Sequence, residues 1–433
     1  MLKRLYTRKA LIFPLLGALL IIFLSAFIIG QFAGIGRAVT SIGAGNRHTY
    51  PTHATSTLTQ RGVTSRTQHT VTHLSTGMLL PHSSHAFITS NDGYATPVDG
   101  TTPTVGITPT VDISPTVDAS PTVGSTPTIT PTTPTGNQTV SVFVEPTAGE
   151  QVILDAINNA QQSVWLEDYL LTDTNVITAL ENAAKRGLDV RVMLDPHPYG
   201  GGTPTTTIDA LNAAGAKAQI ANPAFTYTHE KTMILDGNTA YIMTLNFTYS
   251  AMNGKNREYG VIDTTPADVQ GAINIFNADW SRVADTVSNA NLVISPDNSR
   301  NQFLALINGA KTSLVIEAEE MQDPTVEQAI ASAAQRGVNV QVILPNPGSG
   351  TDSNASGIAT IKAGGAQVEE DSQLYMHAKM MVADGTLAYV GSVNISTNSF
   401  DNNRELGVLF TDSTSITTLQ QTFQSDWSAS QAV

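Results

Sequence analysis

The sequence predicts an α/β fold built twice. Residues 138–287 and 288–433 form two tandem sandwich halves related by a pseudo-twofold axis, behind an apolar segment (residues 1–36) and a disordered linker (residues 37–137). Two observations carry this expectation. The first is repetition: Ala183-Ala184-Lys185-Arg186-Gly187-Leu188-Asp189-Val190 returns as Ala333-Ala334-Gln335-Arg336-Gly337-Val338-Asn339-Val340, an offset of 150. Asn256-Arg257-Glu258 returns as Asn403-Arg404-Glu405 and Phe276-Asn277-Ala278-Asp279-Trp280 as Phe423-Gln424-Ser425-Asp426-Trp427, both at an offset of 147. The second is alternation of short apolar runs with longer amphipathic ones, which argues for mixed or parallel sheets covered by helices.

In the first half, Val140–Val144 reads as a strand, Glu150–Gln161 as a helix and Ser163–Leu171 as a buried strand. A helix over Asn175–Arg186 stops at Gly187 and a strand follows over Asp189–Leu194. The second half repeats the series: strand Leu292–Ile294, helix Arg300–Ala310, strand Ser313–Glu317, helix Thr325–Arg336, Gly337, strand Asn339–Leu344. Phe276, Trp280, Phe423 and Trp427 recur at i, i+4 spacing and read as core anchors. Thr232–Leu235 and Met380–Ala383 are apolar runs closed by Asp-Gly, which predicts strands ending in tight turns. Met376, Met380 and Met381 belong to the packing there.

Ahead of these halves, Lys3, Arg4, Arg8 and Lys9 precede an uncharged run from Ala10 to Gly30. As a helix that run rises about 31 Å, enough to cross a bilayer, and the basic flank sets the N-terminus in the cytoplasm. An uncleaved transmembrane anchor with an extracytoplasmic catalytic region is expected; small residues such as Ala33, Gly34 and Gly36 leave cleavage and secretion open. Residues 40–95 are rich in Ser, Thr and His with no ligand-like spacing and read as solvated spacer. Pro103, Pro109, Pro115, Pro121 and Pro127 keep a six-residue period, which favours extended polyproline II.

The chemistry resides in a doubled constellation. His229, Lys231, Asp236, Asn246 and Glu258 match His377, Lys379, Asp384, Asn394 and Glu405, each set beginning H-x-K-x4-D. The Glu lies 29 residues after the first His and 28 after the second. One H-x-K carries little information; five positions recurring almost in register carry much. Period-2 alternation turns His and Lys to one face of a strand. Two half-sets suggest one shared site at the junction. Lys231, Lys379, Asn246 and Asn394, supported by the hydroxyls of Thr244 and Ser392, are donors suited to the non-bridging oxygens of a phosphodiester. Two imidazoles can divide nucleophilic and acid–base work near neutral pH.

This pattern resembles the phospholipase D superfamily, over roughly residues 138–433. The second copy matches fully; the first has Met243 and Thr244 where Gly391 and Ser392 stand, so a reshaped but working half-site is expected. The resemblance implies a phosphohistidine intermediate, no metal or other cofactor, a carboxylate orienting each imidazole at Glu258 and Glu405, and His229 as nucleophile with His377 as acid. Asp236 and Asp384 are expected to bond within their turns.

Composition weighs on the substrate. Residues 138–433 carry 14 Lys and Arg against 32 Asp and Glu, a net of −18, whereas nucleic-acid binding draws on basic side chains. A phospholipid or other phosphodiester at a membrane is therefore the expected partner, in hydrolysis or in transfer to an alcohol. The alternatives are a metal-independent nuclease of the same superfamily and a non-catalytic binding module. The internal duplication makes a monomeric catalytic unit sufficient. His197 reads as a solvated loop residue, and Glu167, Asp168, Glu317, Glu319 and Glu320 as strand-end caps or a rim selecting a cationic headgroup. With no cysteine, disulfides and thiolate metal sites are excluded.

Overall fold

A computed structural model describes residues 134, 138–199, 202–286 and 288–433. The predicted membrane segment and almost all of the linker lie outside the described residues. No helix among the described residues is long and apolar enough to cross a membrane.

The first half runs β1 (Val140–Glu145), α1 (Gln151–Asn159), β2 (Ser163–Asp168), α2 (Thr174–Lys185), β3 (Asp189–Leu194), α3 (Thr205–Ala213), β4 (Lys217–Ile220), β5 (Lys231–Leu235), β6 (Thr239–Met243), α4 (Tyr249–Met252), β7 (Asn256–Asp263) and α5 (Pro266–Ser281). The second runs β8 (Leu292–Ser295), α6 (Ser299–Gly309), β9 (Ser313–Ala318), β10 (Met321–Gln322), α7 (Pro324–Gln335), β11 (Asn339–Pro345), α8 (Ala355–Ala363) and β12 (Gln367–Asp371). It continues with β13 (Tyr375–Met376), β14 (Lys379–Ala383), β15 (Leu387–Gly391), β16 (Ile395–Ser396), α9 (Thr397–Asp401), β17 (Glu405–Phe410), α10 (Ser413–Ala429) and β18 (Gln431–Ala432).

Each half builds a mixed sheet, in the orders β1-β7-β6-β5-β2-β3-β4 and β18-β12-β11-β9-β14-β15-β17-β8. The strands joined by helical crossovers, β2-β3-β4 and β9-β11-β12, are parallel. The H-x-K strands pair antiparallel with their neighbours. The central strands β5, β6, β14 and β15 are buried on both faces at nearly every position, so they read as largely apolar runs. In β5, Met233 and Leu235 face the outer core of the first half under α1–α3. Ile234, between them, faces a central core shared with Val382, Val390, Val408, Phe410 and Phe423 of the second half. Trp165, Phe276 and Trp280 stack on one another in that shared layer, with centroids 5.2 and 5.8 Å apart.

The elements begin and end for local reasons. Asp173 and Asp323 accept backbone N–H groups at the N-termini of α2 and α7, and Gly187 and Gly337, at φ 91° and 89°, turn the chain after the same helices. Two expected elements are shorter. The strand from Ser163 stops at Asp168 rather than Leu171, because the Asp168 carboxylate accepts the N–H of Phe247 and Leu171 pairs across to Phe247. Helix α1 stops at Asn159 because Asp236 takes the N–H groups of Gln161, Gln162 and Ser163.

That contact corrects the reading of the two Asp residues as internal turn bonds. Asp384 does the same for Lys311, Thr312 and Ser313. Both sit at left-handed φ, 52° and 53°, and clamp the neighbouring helix-to-strand turn. Asp236→Ala or Asp384→Ala is expected to lose ~1–3 kcal/mol in urea unfolding, with Asp→Asn losing less because it keeps an acceptor and tolerates the φ. Unchanged unfolding midpoints for the Ala variants would contradict this role.

Candidate active site

Each His segment crosses to the other half before its strand begins. β13 pairs in parallel with the start of β7, Met376 opposite Arg257, and Thr228 bridges to Arg404 ahead of β17. His229 N–H donates to the Arg404 carbonyl at 2.9 Å, and Arg404 N–H to the Tyr227 carbonyl at 2.9 Å. In each crossing the His and the partner half's Glu are the residues that directly follow the paired couple.

The carboxylate–imidazole pairs are consequently exchanged. His229 Nδ1 meets Glu405 Oε2 at 3.0 Å, and His377 Nδ1 meets Glu258 Oε1 at 2.8 Å. Both carboxylates are fully buried. Glu258 also accepts from Thr244 Oγ1 (2.6 Å) and Asn256 Nδ2 (2.9 Å); Glu405 accepts from Ser399 Oγ and from Asn403 Nδ2 (3.1 Å). Burial pushes the Glu405 carboxyl up, but His229, Lys231 and Ser399 more than reverse it and hold it below its ordinary range. Burial lowers His229 below the usual imidazole range despite the opposing pull of Glu405.

His229 and His377 line one cavity of about 570 Å3, together with Asn246, Asn394, Tyr169 and Glu319. The side-chain oxygens of both asparagines are buried without a hydrogen-bond partner. Lys231 and Lys379 lie just beneath, each donating to the carbonyl of its own His. Burial lowers Lys231 to about 8. Of the supporting residues, Thr244 Oγ1 accepts the N–H of Tyr259 and Ser392 Oγ that of Leu406, so the Thr in the first copy performs the backbone role of the Ser in the second. Met243 is buried in the outer core, whereas a Cβ on Gly391 would meet Gly407 Cα at 2.2 Å. Asp236 and Asp384 stand apart from the cavity, and His197 is exposed.

Two features escape the sequence reading. Glu319 lines the cavity and does not act as a strand-end cap: its Oε2 lies 2.8 Å from Lys379 Nζ, 3.4 Å from His377 Nε2 and 3.4 Å from Asn394 Nδ2, and Tyr375 OH donates to Oε1 at 3.0 Å. Burial raises this carboxyl, but His377 and Lys379 outweigh it and hold Glu319 far below the usual range. At the offset of 150 its counterpart is Tyr169, whose ring packs on His229 at 4.7 Å and lies 5.0 Å from Lys231 Nζ. The repeat contained that correspondence. The exchange of Glu partners, however, left no local mark in the sequence.

A family model described as cardiolipin synthase, PLD-like domain, matches residues 153–280 and again residues 303–427. The chain belongs to the phospholipase D family. It is thereby a member of an enzyme class acting on phosphodiester bonds. The cardiolipin synthase of Clostridium perfringens is 25% identical over 344 residues, covering 68% of this chain and 71% of that one. Among solved structures, a phosphatidylserine synthase from Haemophilus influenzae has a TM-score of 0.54 at 14% identity, covering 68% of this chain and 87% of that one. A polyphosphate kinase from Porphyromonas gingivalis has a TM-score of 0.54 at 14% identity, covering 66% of this chain and 46% of that one. These two likenesses show the fold alone.

The exchanged pairing makes a direct prediction for imidazole titration followed by NMR. Since Glu405 raises His229, Glu405→Gln is expected to move the His229 titration further down, whereas Glu258→Gln, the Glu of its own half, leaves it in place. The opposite pattern would mean that each half keeps its own pair.

Proposed function

We propose that this protein is a phosphodiesterase or phosphatidyltransferase acting on phospholipid headgroups through a phosphohistidine, with His229 as nucleophile and His377 as acid and then base. The observation that carries the reading is the pair of exchanged Glu–His contacts on a single cavity. Glu405 holds Nδ1 of His229, which leaves Nε2 to attack phosphorus. The P–O bond to the headgroup breaks as the P–N bond forms, and His377 Nε2 gives its proton to the departing alkoxide. His377 then takes a proton from water or an alcohol. The oxygen so activated attacks phosphorus and frees His229.

Lowering of His229 by burial suits a neutral nucleophile. Lys379, Asn394 and Tyr375 already converge on the anionic oxygens of Glu319, a carboxylate standing where a phosphate would find the same donors. Binding in the second half-site therefore requires Glu319 to yield its place. Lys231 and Asn246 serve the first half-site. The cardiolipin synthase relatives and the net charge of −18 on residues 138–433 favour a lipid over a nucleic acid. We place the catalytic region at a membrane through the N-terminal segment, with residues 138–287 and 288–433 as its two halves.

Full-length protein in detergent is expected to release headgroup, or form a transphosphatidylation product, from vesicles of phosphatidylglycerol or phosphatidylcholine while leaving single-stranded DNA intact. Trapping during turnover should label His229. His377→Ala should slow turnover by at least about 100-fold, the scale of a general acid–base contribution. Cut DNA with intact lipid would replace this reading with a nuclease, and label on neither His would end the covalent mechanism.

A further inference from the structure

Behind the cavity, three carboxylates meet in a place with no catalytic work assigned to it. Glu167 is the penultimate residue of β2, Glu230 directly follows His229, and Asp279 lies on α5; one oxygen from each falls within 4.8 Å of the other two. Relative exposures are 0%, 1% and 0%. Among the described residues this is the one group of three or more His or carboxylate side chains so arranged.

The second half supplies an internal control. Its version of this cluster has Glu317 for Glu167, Asp426 for Asp279 and Arg257 for Arg404. There Tyr259 OH donates to Glu317, and Arg257 binds both oxygens of Asp426. In the first half the position of Tyr259 is Leu406, so the hydroxyl donor is gone. The position of Ala378 is Glu230, so a third carboxylate is added. Arg404 meets only one member of this set: its guanidinium binds Asp279 and is otherwise taken by Asp285, Asp297 and the Ser295 carbonyl. Both oxygens of Glu167, and Oε2 of Glu230, are left buried without a hydrogen-bond partner. Unpaired buried carboxylates are costly unless a cation or a proton neutralises them.

We propose that Glu167, Glu230 and Asp279 bind one divalent cation of the calcium type, a structural site that braces the Arg404 segment on which Glu405 and its hold on His229 depend. One hard oxygen from each carboxylate converges, the second unpartnered oxygen of Glu167 can add to them, and Thr232 stands beside Glu230 as a further donor. A site this enclosed suits Ca2+ better than Mg2+, which keeps several of its waters. The cation would act on stability and on the placement of Arg404, not at phosphorus, so this inference stands or falls separately from the proposed function.

The test uses the full chain, purified without chelator, by elemental analysis and by melting in EDTA against 1 mM CaCl2. Expected are close to one Ca2+ per chain and a melting temperature higher by roughly 5 °C or more with Ca2+. Glu230→Ala should lose the ion and the shift. The double variant Glu230→Ala, Leu406→Tyr, which copies the second half, should fold without the ion and melt alike in both buffers. No bound metal together with equal melting of the wild type in EDTA and Ca2+ would overturn the proposal, leaving protons to neutralise the cluster. An equal Ca2+ shift in wild type and Glu230→Ala would also overturn it, since the ion would then sit elsewhere. Should either variant fail to fold, elemental analysis of the wild type decides alone.

Discussion

The arrangement of this protein depends on two short backbone crossings, Thr228 to Arg404 and β13 to the start of β7. Each carries a His segment onto the strand of the opposite half, where the backbone register delivers the imidazole to a buried glutamate. Neither half contains a complete pair. The shared apolar core between the sheets, with Ile234 and Ile242 on one side and Val390 and Val408 on the other, holds the two crossings in place at once. Geometry at the cavity is therefore a property of the interface between halves, and loosening that core should disturb both imidazoles together.

The same duplication makes departures from symmetry informative. Tyr169 and Glu319 occupy equivalent places beyond β2 and β9, yet one lays an aromatic face against His229 and the other a carboxylate against His377 and Lys379. Ala378 is replaced by Glu230, and Tyr259 by Leu406, which adds a third carboxylate and removes the hydroxyl donor that Glu317 has. The backbone skeleton is common to the halves while the electrostatics differ, as the proposed division of labour between the two imidazoles requires.

Much of this was legible in the chain. The offsets of 150 and 147 gave equivalent elements in both halves, and apolar runs of four residues located β5 and β14 closely because strands buried on both faces have little polar alternation to blur them. Helix and strand ends were less legible, since Asp236 and Asp384 act on N–H groups more than 70 positions away. For the same reason the His–Glu exchange was invisible: it spans 176 residues for His229 and 119 for His377. Glu319 was misjudged because a strand-end carboxylate looks like a cap until the cations it faces are known.

A structure of crystals soaked with tungstate, a tetrahedral phosphate analogue, tests the central claim most directly. One oxyanion is expected in the cavity with Nε2 of both His229 and His377 within about 3 Å of its oxygens or its central atom, and the Glu319 carboxylate moved from Lys379. An anion held by one imidazole while the other faces away, or two anions in separate places, would contradict it.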